Sequence, residues 1–364
     1  MADWQDIRNL LCVRLDALGD VLMTEPALRA LRQTFPAARL TLLTSPSGAE
    51  AARLLPCIDA VITHRAPWMK HDHPDPHDRA FVDALRARAF DAAVIFTVYS
   101  QNPLPAAMMC HFADIPRRLA FCRENPYSLL TDWLPEDEPA RLMRHEVTRQ
   151  LALVAAIGAA TLDTHLRITI PRAARARATQ LWSCFGARKR IVIHPGASAP
   201  SRRYPAERFA AAAAQIAGQC DAAFVITGSA DEAALVDRVA AQAPPDTLAL
   251  ADQLAVDEWA ALIAEADLLI SNNTASVHLA AATDTPVVDL YALTNPQHRP
   301  WRVPAVVLSH PVSCRNCHKS VCPEGHHQCL LGIETGAVAD AALQLLGIQR
   351  DRPASAAFRA AHRA

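Results

Sequence analysis

The chain has 364 residues, 51% of them hydrophobic, and a formal net charge of −1. That length can supply two domains with separate cores, and a near-neutral charge with few aromatics and no basic stripe supports neither duplex nor single-stranded nucleic acid as a partner. No apolar run approaches the ~20 residues of a membrane span and the start MADWQDIRNL has no signal-peptide core, so a cytoplasmic protein is expected, whose ten cysteines imply no disulfide framework.

Strand-like and helix-like segments alternate in chain order. Leu10–Arg14 is an apolar run with a β-branched centre and reads as a buried parallel strand. A turn marked by Gly19 leads into a helix over Asp20–Gln33, with Ala27, Leu28 and Leu31 on one face. A strand at Leu40–Thr44, a helix around Ala49–Leu55 and a strand at Ala60–Thr63 follow. The polar, proline-rich stretch from His64 to Asp78 reads as a loop. Next come a helix at Arg79–Arg88, a strand at Ala92–Val98, a helix at Pro105–His111 and a strand at Arg118–Phe121. Asn125–Arg141 reads as irregular, and a helix at Arg144–Ile157 closes the first half.

The second half repeats the alternation. Strands are expected at Ile191–His194, Ala222–Thr227, Thr247–Leu250, Leu268–Ser271 and Val287–Tyr291. Helices are expected at Ala206–Gly218, Ala230–Ala241, Asp257–Ala264 and Thr274–Ala282. Two blocks of βα units define an α/β protein with two doubly wound, Rossmann-like parallel sheets. The junction falls near Pro171, giving an N-terminal domain over 1–172, a C-terminal domain over 173–348 that includes a cysteine-rich loop at 314–329, and a tail at 349–364.

Neither half carries GxGxxG or GxxxxGK[ST], there is no Asp-x-Asp pair to hold a cation under a sugar diphosphate, and no GxSxG elbow occurs. A phosphate site would have to come from helix N-termini and basic side chains. Two junctions suit that task. In Ile193–Pro205, small residues after a strand let backbone N–H groups approach an anion, and Arg202 and Arg203 follow; an ordinary βα loop with solvated arginines is the alternative. In Ser271–Ala280, four polar residues in a row with Ser276 just beyond exceed what capping requires, while His278 reads as a ligand-side or a core histidine. Asp20, at a strand-to-helix junction where such sheets bind ligands, is either a helix cap or a base facing a cleft.

Together LDALGDVLMTEPALRALR, HPGASAPSRRYP, SNNTASVHLAAATDTPVVDLY, YALTNPQHRPW and CRNCHKSVCPEGHHQC resemble the family 9 glycosyltransferases, which include the lipopolysaccharide-core heptosyltransferases. The resemblance spans essentially the whole chain. It implies a GT-B fold, two Rossmann-like domains facing a central cleft, with acceptor on the N-terminal domain and nucleotide sugar on the C-terminal one. It implies an inverting, metal-independent displacement with Asp20 as general base and no cofactor needed for catalysis. Carried over residue by residue, it implies donor contacts from Ala197, Ser198, Arg202, Thr227, Gly228, Glu232, Leu254, Asn273, Thr274, Ala275, Ser276 and His278. Ala197 and Ser198 would offer backbone to phosphate, Glu232 would hold ribose (or face solvent), and Leu254 would lie against the base. The implied donor is ADP-heptose. The implied acceptor is a lipopolysaccharide-core or related surface glycan, reached at the cytoplasmic face of the inner membrane by peripheral contact.

Where the family commonly has Asp-Thr-Gly or Asp-Ser-Gly, this chain has Asn273-Thr274-Ala275, which removes a carboxylate and bears on donor identity. Cys314, Cys317, Cys322 and Cys329 have the clustering of a structural zinc or iron site, with a reduced loop or a pair of disulfides as alternatives. The tract His71–Asp78 reads as a polar loop on the acceptor side rather than a metal site, and Arg14, Lys70, Arg117, Arg118 and Arg123 as either contacts for an anionic acceptor or solvated surface. Heptosyl transfer to protein, and a catalytically inactive nucleotide-sugar-binding scaffold, are the rival functions.

Overall fold

The computed structural model describes residues 4–70 and 78–348. The expected polar loop at 71–77 and the tail from 349 lie outside them. The N-terminal sheet is formed by β1 (Asn9–Arg14), β2 (Arg39–Thr44), β3 (Ala60–Thr63), β4 (Ala92–Ile95), β5 (Arg117–Cys122) and β6 (Asp132–Pro135), in the order 3-2-1-4-5-6. Its helices are α1 (Leu18–Thr34), α2 (Pro46–Ala52), α3 (Asp78–Arg86), α4 (Leu104–Phe112) and α5 (Glu146–Ala155). After α6 (Arg172–Ser183) comes the C-terminal sheet, formed by β7 (Lys189–His194), β8 (Ala222–Gly228), β9 (Leu248–Ala251), β10 (Leu268–Asn272), β11 (Val287–Leu290) and β12 (Ala305–Leu308), in the order 12-11-10-7-8-9. It carries α7 (Ala206–Ala217), α8 (Ala233–Ala240), α9 (Val256–Ala264), α10 (Ala275–Ala282), α11 (Gln328–Leu331) and α12 (Thr335–Leu345).

Every strand pair is parallel. Both sheets are therefore buried on two faces, which is why β1, β4, β7 and β10 read as continuous apolar runs rather than alternating ones. In each sheet the strand order reverses beside the first strand, and ligands in such folds sit at the carboxyl ends flanking that point. There lie the turn after β1 and the loops after β7 and β10.

Three differences from the sequence reading have local causes. The segment read as irregular contains β6, whose Trp133 and Leu134 lie between prolines that hid the short run. α6 starts directly after the Pro171 junction and packs on α9, with the Trp182 indole donating to the Leu262 carbonyl at 3.2 Å. Gly19 is not a turn residue but the second residue of α1. A Cβ there would lie 2.8 Å from Cδ2 of His278, so the glycine serves close approach of α1 to α10, across the two halves.

Candidate active site

The carboxyl end of β1 holds a buried charge cluster. The Arg14 guanidinium is fully buried and lies 3.0 Å from Asp16, 3.2 Å from Asp20 and 3.0 Å from Glu146 at the start of α5. Asp20 is the third residue of α1; one carboxylate oxygen accepts from the Ala17 N–H at 3.3 Å and the other faces Arg14. It is thus a cap as well as a cleft-facing carboxylate, since Ala17 has no side-chain acceptor of its own. Burial acts to raise its pKa, but Arg14, then His298 and His278, more than offset that and hold it below the usual carboxylate range. Asp16 goes the other way: burial pushes it up, with Asp20 adding to the effect and Arg14 opposing it.

Two histidines of the C-terminal half meet this cluster. His298 Nε2 lies 4.0 Å from Asp20 and has no hydrogen-bond partner. His278 stands behind Gly19, with its ring centroid 6.5 Å from that of His298. Burial lowers both, His278 to about 3, so both imidazoles are uncharged at neutral pH. His298 is carried by a segment clamped to the N-terminal half. Gln297 donates to Glu138 at 2.7 Å, Glu146 N–H donates to the Gln297 carbonyl at 3.1 Å, and Trp301 donates to the Thr164 carbonyl at 2.6 Å. The sequence reading quoted YALTNPQHRPW as a motif but assigned His298 no role; a histidine among prolines after a strand was the available signal.

Across the cleft, a cavity of about 520 Å³ opens at the carboxyl ends of β7, β8 and β9. Of the residues expected at the donor, Ser198, Thr227, Gly228, Glu232, Leu254 and Thr274 line it. Glu232 accepts from the Ser229 N–H at 3.0 Å and lies 3.9 Å from His194 Nε2, while His194 Nδ1 is 3.0 Å from the Thr227 hydroxyl. A Cβ on Gly196 would overlap the Glu232 carboxylate, so that glycine makes room for it. The wall also includes His194, Asp231, Asp252, Trp259 and Arg203, the second of the two arginines that follow the β7 loop. Trp259 donates to Thr227 at 3.2 Å and packs its ring 4.8 Å from that of His194, giving the cavity an aromatic side next to Leu254. A lone tryptophan opening a helix after a βα loop was the only trace of this in the sequence.

The other expected donor residues are placed differently. Ala197 is buried, and its carbonyl accepts from Arg203 at 2.8 Å, so Arg203 reaches the cavity wall beside it. Arg202 is not part of the cavity wall, and its buried Nε has no hydrogen-bond partner. The Ser276 hydroxyl is taken by Ser271 at 2.6 Å, and Ala275 backs onto Gly19. Asn273 donates to Asp289 at 3.0 Å and to the His298 carbonyl at 2.8 Å. Asp289 is fully buried, and burial pushes its pKa up to about 8 against the pull of Asn273 and Arg299. An aspartate at 273 would set two carboxylates 3.0 Å apart; the amide fits that neighbour, so the departure at 273 has a structural partner as well as any bearing on the donor.

The cysteine-rich stretch docks against both halves. His318 is 2.8 Å from the Tyr99 hydroxyl of the N-terminal half, and Ser201 donates to the Lys319 carbonyl at 2.7 Å. Cys314 lies 3.7 Å from His326 Nε2. Among the described residues no three cysteine, histidine or acidic side chains converge as a metal would require, so Cys314, Cys317, Cys322 and Cys329 as arranged do not form the expected zinc or iron ligand set. Nor does the N-terminal half present its arginines as expected. Arg14 is consumed by three carboxylates, Arg118 donates to the carbonyls of Leu129, Ser128 and Ile115, and Arg123 donates to those of Tyr99 and Glu138.

Two facing parallel sheets, a cavity with an acidic residue and an aromatic wall on one side, and a carboxylate across the cleft define a glycosyltransferase of the GT-B kind. The model of glycosyltransferase family 9 (heptosyltransferase) matches residues 79–328, and the chain belongs to that family. It is 24% identical to lipopolysaccharide heptosyltransferase 2 of Escherichia coli K12, over 87% of this chain and 92% of that protein. Its fold superposes on a family 9 glycosyl transferase of Veillonella parvula with a TM-score of 0.76 at 22% identity, covering 94% of this chain and 98% of the other. With the E. coli ADP-heptose lps heptosyltransferase II the TM-score is 0.73 at 21% identity, covering 93% and 98%.

Proposed function

We propose that this glycosyltransferase moves heptose from ADP-heptose to a hydroxyl of a lipopolysaccharide-core or related surface-glycan acceptor, with inversion and without a metal. The observation that carries the reading is Asp20. It lies at the start of α1, 4.0 Å from His298 of the C-terminal half, and Arg14 holds its carboxylate below the usual range; a cavity of about 520 Å³ opens at the ends of β7, β8 and β9. In the proposed step the acceptor oxygen forms a bond to the anomeric carbon as its proton passes to Asp20. The bond from that carbon to the diphosphate oxygen breaks, and its electron pair leaves with ADP. Adenine would lie along Leu254 and Trp259, and Glu232 would receive ribose hydroxyls. Arg203, Arg202 and the N-terminus of α10 would face the diphosphate. Those donors supply the charge stabilisation that a cation supplies in other transferases, which is the physical basis for a metal-free step. The name of the E. coli relative supports the donor, and the packing of α6 on α9 and of α12 on α7 is in keeping with domain limits at 172 and 348. Among the described residues no helix is long and apolar enough to cross a membrane; work at the cytoplasmic membrane face, by peripheral contact, is part of the proposal.

The test is calorimetric titration with ADP, UDP and GDP, then ADP-heptose, in chelating buffer. Selective ADP binding that survives chelation is the expected result. Preference for another nucleotide removes heptose from the reading, and no nucleotide binding at all moves the scaffold alternative to the front.

A further inference from the structure

A second recess, of about 210 Å³, lies beside the charge cluster on the N-terminal half, and Asp16 is part of its wall. Trp68 and Met69 give it an apolar side, and Gln101 and Asn102 give it amide groups; Gln101 donates to Asp16 and holds that carboxylate in place. A flat ring on one side with amide and carboxylate groups on the other is the chemistry that recognises a sugar ring: C–H faces pack on the indole and hydroxyls meet the polar groups.

The charges decide which kind of sugar. Arg14 pairs with Asp16 of the wall, and Asp16, Asp20 and Glu146 outnumber it at 3.0–3.2 Å, while Lys70, next after Met69 in the chain, is exposed and outside the wall. No lysine or arginine belongs to the wall. Arg117 and Arg118 open β5 at the sheet edge opposite the cleft. Arg123 lies beyond Gln101 and Asn102 in an adjoining recess, beside Glu124 and Glu136. The tract 71–77 outside the described residues contains no lysine or arginine either. A phosphate or carboxylate on the bound ring would enter a field that is net negative and partly shielded from water, where repulsion is poorly screened.

We propose that this recess is the acceptor subsite and that the sugar ring it takes is uncharged, seated on Trp68 with hydroxyls on Asp16, Gln101 and Asn102. This deepens the transferase reading and rests on it for the direction of transfer, but not for binding. The ring carries the nucleophilic hydroxyl toward Asp20, which Arg14 links to Asp16. Acidic or phosphorylated groups of a larger acceptor lie outside the recess.

The test is saturation-transfer NMR on the full chain, without donor, using methyl heptopyranoside and methyl mannopyranoside, their monophosphates, and a serine-containing peptide. Saturable binding of a neutral glycoside, on the order of tenfold tighter than its phosphate, is expected. It should be lost in Trp68→Ala and weakened in Gln101→Ala, while Asp16→Asn narrows the gap to the phosphate. ADP titration of each variant shows that it is folded, because the nucleotide cavity is separate. Phosphorylated glycosides binding as tightly as neutral ones would overturn the proposal, as would binding of the peptide alone or of no glycoside. Failure of the donor reading would appear in the ADP titration and leave the glycoside result standing.

Discussion

Replacing Asp20 with asparagine separates its chemical role from its structural one. The variant keeps an acceptor for the Ala17 N–H, now 3.3 Å from the carboxylate, and leaves Arg14 paired with Asp16 and Glu146, each at 3.0 Å. No buried charge is orphaned, so the cost in folding stability should stay below about 1.5 kcal/mol, the scale of one charge-assisted hydrogen bond. A general base contributes ~10²–10⁴ in rate, so transfer should fall about a thousandfold, or about 4 kcal/mol of barrier. ADP affinity should not change. Because the folded pKa of Asp20 is depressed, the base stays ionised down through pH 5, and wild-type transfer should show no acid limb from it above the ordinary carboxylate value. The same depression stabilises the fold above the unfolded pKa and is lost as pH falls through the folded one, so wild type should lose more stability than Asp20→Asn below about pH 4. The assay is ADP release in the presence of acceptor, with denaturant melts alongside. Transfer within tenfold of wild type would refute the assignment.

Arg14→Met should be far more damaging than any loss at Asp20, because three carboxylates lose their buried partner. We expect ~3–5 kcal/mol of destabilisation at neutral pH, partly recovered toward pH 5 as those carboxylates protonate, read by chemical denaturation. Gly196→Ala puts a methyl into the Glu232 carboxylate, so ADP binding should weaken more than tenfold with a melting temperature close to wild type; unchanged affinity would take Glu232 out of the nucleotide site. Gly19→Ala should slow transfer while sparing ADP binding, since the added methyl separates α1 from His278 without touching the nucleotide cavity. Asp289 is protonated in the folded state up to about pH 8, so its contribution to stability declines as pH rises from ~4 to ~8, by at most ~1.4 kcal/mol per unit. Asp289→Asn should flatten that slope in pH-dependent melts, and an unaltered slope would mean the group is ionised.

Much of the fold was legible because parallel sheets buried on both faces leave unbroken apolar runs, and ten of the twelve strands show as such. β6 did not, because four residues ending in Pro135 carry too little pattern, and β12 did not although Ala305–Leu308 is as apolar and as partly buried as β3, its four residues following Pro304 without a longer run. Within the candidate site, Asp20 and the loops after β7 and β10 stand out as local motifs, while Glu232 came only from the resemblance to the family. The tasks of Asn273 and Ser276 were not legible, since their partners Asp289 and Ser271 are side chains whose orientation no local pattern states. The same holds for Gly19, which looks like a turn glycine from its neighbours and is a helical one because His278, some 260 residues on, packs against it.

The two halves contribute unequal parts to the proposed reaction centre, and the connections between them bear on how it is assembled. The proposed base, its arginine and the recess beside them belong to β1, α1 and the loops of the N-terminal sheet. The cavity proposed for the nucleotide belongs to the C-terminal sheet. Besides the α1–α10 contact and the Tyr99–His318 contact, the 294–303 segment connects them. Gln297 and Trp301 anchor it to Glu138 and Thr164, and between those anchors His298 is delivered to within 4.0 Å of Asp20. Asn273 ties the same segment back to the donor side through the His298 carbonyl, and Asp289 in turn holds Asn273. A chain of contacts thus runs from the loop after β10 through Asn273 and His298 to Asp20. A carboxylate at 273 could not donate to that carbonyl, so on the proposed reading the amide would link the donor side to the acceptor side.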